Sequence, residues 1–363
     1  MLKPKEHFHG SDLEKIEQVY GIKKEDITSF SANVNPLGVS FLLRETLASH
    51  IDSITSYPDR EYTALRTSIA TYVNTCKDNI LVGNGSTELI SLFIQFLCPK
   101  DAMIVAPTYS EYEREISLGE GHWHYFELRE SEDFKFNFVR FEQELLSTVD
   151  LVIICNPNNP TSTSIKSDEM ESILKICQKN LTTVLVDETY VEFAENMNKI
   201  TSIPLTERYD NIIVLRGISK FFAAPGLRLG YAVCGNSELV EKVNKKKNPW
   251  TINSLAAIAG EIMFQDMDYI NKTKDFIFGE RKRICDALQE SSTYKVYEPS
   301  ANFVLLRILR DDLTASEIFD ICIRKGLMIR DCSTFPYLDD KYIRFCFMSR
   351  EKNDELLEVL MSL

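Results

Sequence analysis

Asn156-Pro-Asn-Asn-Pro-Thr161 follows the apolar run 151–155, Asp187-Glu-Thr-Tyr190 follows 183–186, and Arg216-Gly-Ile-Ser-Lys220 follows 211–215, with Arg228 a short way beyond the lysine. A further segment, Gly83-Asn-Gly-Ser-Thr87, precedes an apolar stretch at 89–97. Taken one at a time, these are common turn formers, helix caps and solvated loop residues. Taken together, they bring an amine, a carboxylate, a phenol, an amide and a guanidinium to the ends of apolar runs, opposite a glycine-rich turn at a helix start. Pyridoxal phosphate chemistry needs this set. The aldehyde needs a lysine amine for a Schiff base. The pyridine nitrogen needs a carboxylate that keeps it protonated, so that the ring accepts electrons. The phosphate needs backbone N–H groups at a helix N-terminus, hydroxyls and a cation. The ring hydroxyl needs a Tyr or Asn donor.

The elements that must position these residues read as α/β. The runs 102–106, 151–155, 183–186, 211–215 and 229–233 are four or five residues long, β-branched and apolar on both faces. Parallel strands covered by helices on both sides have this character. Helical stretches such as 167–180 separate them, so a large domain with a mostly parallel, doubly wound sheet between helices is expected. Ligands of such sheets bind beyond the carboxyl ends of the strands, which is where the polar residues stand. After about residue 250 the pattern changes to one or two long helices over 255–290, a run at 302–306, a helix over 316–325, a run at 342–347 and a last helix from 351. This predicts a smaller α+β domain. The expected organisation is an N-terminal segment 1–40 packing with the small domain, a large cofactor-binding domain 41–250, and a connecting helix with the small C-terminal domain at 251–363.

Asn156-Pro-Asn-Asn-Pro-Thr161, Asp187-x-x-Tyr190, Ser219-Lys220 and Gly226-Leu-Arg-Leu-Gly230 resemble the fold-type I aminotransferase family, and within it the histidinol-phosphate aminotransferase branch. Inside that branch, His9-Gly10, Phe30-Ser-Ala-Asn-Val-Asn-Pro-Leu-Gly38, Tyr57-Pro-Asp59, the stretch 220–231 and Pro249-Trp-Thr-Ile-Asn-Ser-Leu-Ala-Ala257 are similar to the threonine-phosphate decarboxylases of cobalamin biosynthesis. The resemblance covers nearly the whole chain. It implies that Lys220 carries the cofactor and then shuttles a proton, that Asp187 pairs with the pyridinium, and that Asn159 and Tyr190 bind the ring hydroxyl. It implies a phosphate cradle of Gly85, Ser86 and Thr87, with Arg228 as its cation, Ser219 as a further hydroxyl, and Tyr109 stacked on the ring. Tyr57 would reach the phosphate of the neighbouring subunit in a homodimer. Arg344 is implied as the substrate-carboxylate arginine, since its planar fork matches a carboxylate, and His9, Asn33 and Arg330 would line the substrate pocket with it. Two positions depart from the family pattern. Gly217 stands where the family carries a phosphate-binding hydroxyl, and Ser162 where it carries glycine.

Composition narrows the function classes. The net charge of −13 argues against nucleic acid or an anionic membrane as partner. The nine cysteines show no Cys-x-x-Cys and no zinc-spaced histidine, so reduced core thiols and no metal are expected. The N-terminus has no apolar h-region and no run reaches membrane-spanning length, so a cytoplasmic protein is expected. The resemblance implies decarboxylation of a phosphorylated amino acid, O-phospho-L-threonine giving aminopropanol phosphate, or a related phosphoserine or phosphonate amino acid. An aminotransferase acting on histidinol phosphate is the alternative. A pyridoxal phosphate-binding regulator would need a DNA-binding appendage or a basic face, and neither is present in the sequence. A nicotinamide dehydrogenase would need Gly-x-Gly-x-x-Gly after its first strand.

Overall fold

Strands that are apolar on both faces can be buried only between two layers of helix. The computed structural model, which describes residues 12–363, builds its main sheet in that way. After the short strand β1 (Thr28–Ser29) come β2 (Ile80–Gly83), β3 (Asp101–Ala106), β4 (His122–Glu127), β5 (Leu151–Cys155), β6 (Thr183–Asp187), β7 (Ile212–Gly217) and β8 (Gly230–Cys234). The sheet order is β2-β8-β7-β6-β5-β3-β4. Alternate residues serve opposite layers. Ile153, Leu185 and Ile213 pack with Leu89 and Phe93 of the helix Gly85–Leu97. Val152, Val184 and Ile212 pack with Ile173 and Leu174 of the helix Ser167–Lys179.

The strands from β7 across to β4 run parallel. β8 is antiparallel to both β7 and β2, which corrects the parallel direction expected for the run 229–233. The connection explains it. Between β7 and β8 the chain makes only a 3-10 turn, Pro225–Leu227, with no crossover helix to carry it back for a parallel pairing. That connection holds Lys220. Two strands escape a search for apolar runs. β4 is a sheet edge whose His122 and Trp123 are exposed, and β2 is four residues ending in glycine.

The C-terminal part forms β9 (Tyr294–Val296), β10 (Phe303–Ile308), β11 (Leu327–Met328), β12 (Arg330–Asp331) and β13 (Tyr342–Cys346). Four of these make an antiparallel sheet in the order β12-β13-β10-β9. The stretch expected to be one or two long helices is two, Ser254–Met263 and Met267–Gln289. The N-terminal segment bridges the parts. β1 pairs with β11, the Phe30 carbonyl accepts from the Cys346 amide at 2.8 Å, and the Asn35 amide donates to the Lys220 carbonyl at 3.0 Å. Seven of the cysteines are buried, while Cys76 and Cys98 are exposed rather than in the core. Among the described residues no helix is long and apolar enough to cross a membrane.

Candidate active site

A cavity of about 520 Å³ opens beyond the carboxyl ends of β3, β5, β6 and β7 and is bounded on its far side by residues 31–33 and by Arg330 and Arg344 of β12 and β13. Its depth comes from the topology. The parallel strands end together, and residues 31–33 with the ends of β12 and β13 close over them.

Lys220 leaves the β7–β8 connection and donates from Nζ to the Ala32 carbonyl at 2.7 Å. Burial, reinforced by the positive charges of Arg344 and Arg228, pushes its amine down to about 8. An amine with that value is partly neutral, and so nucleophilic, at physiological pH. Asp187 ends β6 and is buried. Its Oδ2 accepts from Tyr112 Oη at 2.7 Å, and its Oδ1 from the Thr189 amide at 3.0 Å and the Thr189 hydroxyl at 2.5 Å. Burial raises its pKa against the pull of those donors. A carboxylate so placed gains most from a cation lodged in the cavity itself.

The helix Gly85–Leu97 starts at the opposite wall. Gly85 has φ +82, and a Cβ there would lie 2.5 Å from Arg228 Nη2. Gly230 is equally tight, because its Cβ would meet the Ser86 amide nitrogen at 2.5 Å. Only glycine lets the helix start, β8 and the Arg228 guanidinium approach this closely. Ser86, Thr87, Ser219 and Arg228 all line the cavity here. At Gly217 a Cβ would stand 3.4 Å from Ser86 Oγ and 3.9 Å from Ser219 Oγ. Those two hydroxyls therefore border the space that a hydroxyl side chain at 217 would occupy.

Tyr109, Asn159, Tyr190 and Asn33 complete the walls. Tyr190 Oη accepts from Asn33 Nδ2 at 3.3 Å, and burial pushes the phenol well above its usual range. Arg344 is buried, donates to the Ser31 carbonyl at 2.7 Å and to Asn159 Oδ1, and lies over the Phe303 ring. Arg330 stands opposite Arg344 in the β12–β13 register. Its guanidinium reaches Thr334 Oγ1 at 3.0 Å and covers Phe335 at 5.3 Å. Ser31 Oγ, Asn33 Oδ1, Thr108 Oγ1 and Arg344 Nε are buried without a hydrogen-bond partner, on residues that line this cavity. Unmet polar groups in such number are costly, so the cavity is built for a polar, anionic ligand. The lysine, the buried carboxylate, the glycine-rich helix start and these orphaned atoms fit pyridoxal phosphate.

Of the residues singled out in the sequence, Asn33, Gly85, Ser86, Thr87, Tyr109, Asn159, Asp187, Tyr190, Ser219, Lys220, Arg228, Arg330 and Arg344 line one cavity. Tyr57 does not. It is 82% exposed and packs on Trp250 at 5.0 Å. His9 lies outside the described residues. The sequence reading missed Tyr112, Thr189, Thr108 and Thr334. Tyr112 stands in the first turn of the helix Glu111–Leu118 and meets the Tyr109 ring edge-on at 5.7 Å.

A sequence model of the aminotransferase class I and II family matches residues 25–360. The threonine-phosphate decarboxylase of Salmonella typhimurium is 32% identical over 97% of this chain and 95% of that protein. The histidinol-phosphate aminotransferase of Methanothermobacter thermautotrophicus is 30% identical over 97% of this chain and 92% of that protein. The crystal structure of the histidinol-phosphate aminotransferase from Clostridium acetobutylicum has a TM-score of 0.86 at 31% identity, covering 92% of this chain and 98% of that one.

Proposed function

This chain belongs to the class I and II aminotransferase family, and from that premise we propose that it is a pyridoxal phosphate-dependent decarboxylase of a phosphorylated amino acid, O-phospho-L-threonine or a close relative. Two decarboxylase relatives are 36% and 32% identical and an aminotransferase relative 30%, a margin that leaves the site to discriminate. The observation that carries the reading is the pair Arg330 and Arg344, which face the cavity of Lys220 apart from Arg228 at the phosphate cradle. A second cluster of cations suits a substrate with two anions of its own.

When bound, the cofactor supplies an electron-accepting ring conjugated to the substrate's Cα. Asp187 would hold the positive charge at the ring nitrogen, Tyr190 and Asn159 would hold the ring hydroxyl, and Tyr109 would face the ring. The Gly85–Thr87 amides, Ser219 and Arg228 hold the cofactor phosphate. Arg330 would anchor the substrate's distal phosphate and Arg344 its carboxylate, with Asn33 lining the same cavity. An anchored distal phosphate would let Arg330 and Arg344 fix the orientation of the substrate's carboxylate relative to Lys220. The carboxylate would be lost as carbon dioxide, and Lys220 would be placed to deliver the proton that replaces it on Cα.

Phe41, Ile51, Ile54, Tyr57 and Trp250 are large apolar side chains exposed on this chain. A second copy covering them forms a homodimer and brings the partner's Tyr57 to the cofactor phosphate. The seven buried thiols agree with a reducing, cytoplasmic compartment. A second reading, transamination of histidinol phosphate, is favoured by the likeness to the Clostridium acetobutylicum structure. Incubation with O-phospho-L-threonine, with and without 2-oxoglutarate, separates the two. Carbon dioxide and aminopropanol phosphate without any oxo acid are expected. Turnover that needs 2-oxoglutarate and releases no carbon dioxide would replace the proposal with the second reading.

A further inference from the structure

Ser162 has φ +63 and is fully buried. This is the left-handed conformation that favours glycine. A residue with a Cβ persists there only when its surroundings over-determine it, and here the surroundings belong to the small domain. Ser162 Oγ accepts from the Ala301 amide at 3.0 Å. The Ser162 carbonyl accepts from the Ser300 amide at 2.7 Å, and Ser164 Oγ meets Ser300 Oγ at 2.9 Å. On its own side the loop is fixed to the large domain. The Ser162 amide donates to the Asn158 carbonyl at 2.8 Å, and Asn158 Nδ2 donates to the Pro107 carbonyl at 2.9 Å.

The residues after Ala301 belong to the substrate side of the site. Asn302 Nδ2 donates to the Asn33 carbonyl at 3.0 Å, and Asn33 in turn donates to Tyr190. Phe303 packs edge-on to Tyr190 at 4.9 Å and underlies the Arg344 guanidinium at 5.2 Å. From the other direction Asn159, in the same loop as Ser162, accepts from Arg344. Ser162 thus closes a ring of contacts that holds Arg344 and Asn33 in place over Lys220.

We infer that Ser162 is a positioning residue that fixes Arg344 and Asn33 against the cofactor, and that its hydroxyl sets which Cα bond of the substrate stands out of the ring plane. The inference rests on the decarboxylase reading, because the two reactions part at the Cα bond that is broken. Glycine at 162 would relax the backbone but leave the buried Ala301 amide without an acceptor. Serine keeps the strained backbone and the bond.

Two variants and three measurements test this on the cofactor-loaded enzyme. Ser162→Gly folds, since glycine favours this φ, while Ser162→Ala keeps the strain and loses the same acceptor. The measurements are hydrogen exchange at the Ala301 amide, KM and kcat for O-phospho-L-threonine, and the fraction of cofactor left in its amine form per carbon dioxide released. In both variants the Ala301 amide exchanges faster and KM rises about tenfold, the scale of one lost buried hydrogen bond. More of the cofactor also ends in the amine form. Faster exchange or a lower melting temperature with KM and product partition unchanged in Ser162→Gly overturns the inference, because that is a purely structural role. If wild-type enzyme releases no carbon dioxide, the reaction assignment fails separately. Ala301 exchange and KM for the amino donor then used still decide the role of Ser162.

Discussion

Lys220 Nζ and the Ala32 carbonyl are 2.7 Å apart, so the reactive amine is held by a backbone acceptor on the N-terminal segment rather than by a carboxylate. A neutral carbonyl orients the amine without stabilising its charge as an anion would. Burial and the nearby Arg344 and Arg228 therefore set its protonation, and they favour the free base.

The pH dependence of cofactor capture follows from this. Only the neutral amine condenses with an aldehyde. Its fraction grows as pH rises through about 8, where a lysine of ordinary value, 10.5, would still be charged. Apoenzyme mixed with pyridoxal phosphate should develop its visible absorption faster as pH rises through that region and reach a plateau above it. Borohydride reduction and peptide mapping should place the label on Lys220. A label on another lysine, or a rate still climbing toward pH 10.5, would remove Lys220 from this role.

Asp187→Ala should leave Lys220 able to take up the cofactor and lower kcat by about 10²-fold or more, the scale for removing a preorganised electrostatic partner. Tyr112→Phe takes away one of the three donors on that carboxylate and should lower kcat by about tenfold. An Asp187→Ala enzyme with near wild-type kcat would show that another group keeps the ring nitrogen charged.

Lys220, Asp187 and Asn159 are legible in the sequence for one physical reason. Each stands just after an apolar run, and a strand buried on both faces must end where the cavity begins. Strand direction is not written in the runs, so β8 looks like its parallel neighbours until the helix-free connection is seen. Thr334 is invisible for another reason: its role exists only through Arg330 folding back toward it. Ser162 reads as a departure from a pattern, while its partner Ala301 is 139 residues away in the chain. Local pattern fixes which residues reach the rim. It says nothing of which residue of the C-terminal strands meets them across the cavity.

Arg330→Ala tests the distal anion site. Arg330 and Arg344 stand opposite each other in the β12–β13 register and both line the cavity, so a substrate that carries two anions can meet both. KM for O-phospho-L-threonine should rise about 10- to 100-fold, the range for hydrogen bonds to a charged group. KM for unphosphorylated amino acids should change little, because they offer nothing to Arg330. Equal losses for phosphorylated and unphosphorylated substrates would assign Arg330 to the carboxylate or to folding instead.

Tyr57 gives the last prediction, because among the described residues it is the one proposed site residue that this chain presents away from its own cavity. Its exposure beside Trp250, on a chain that also exposes Phe41 and Ile54, is an unfavourable placement for a lone chain. It becomes favourable if a second copy buries it and uses its phenol. Each site is then built from two chains, so Lys220 and Tyr57 of one site come from different copies. Lys220→Ala should be inactive, and Tyr57→Ala should hold the cofactor weakly and turn over slowly. Unfolded together and refolded as a mixture, the two variants should form mixed dimers in which one site has both defects and the other has neither. Random pairing restores about a quarter of all sites. Restored activity above that of either variant alone, with cofactor bound at the same fraction of sites, supports the shared site. A mixture no more active than the average of its components, in a sample shown by sedimentation to be dimeric, would mean that Tyr57 serves no neighbouring site.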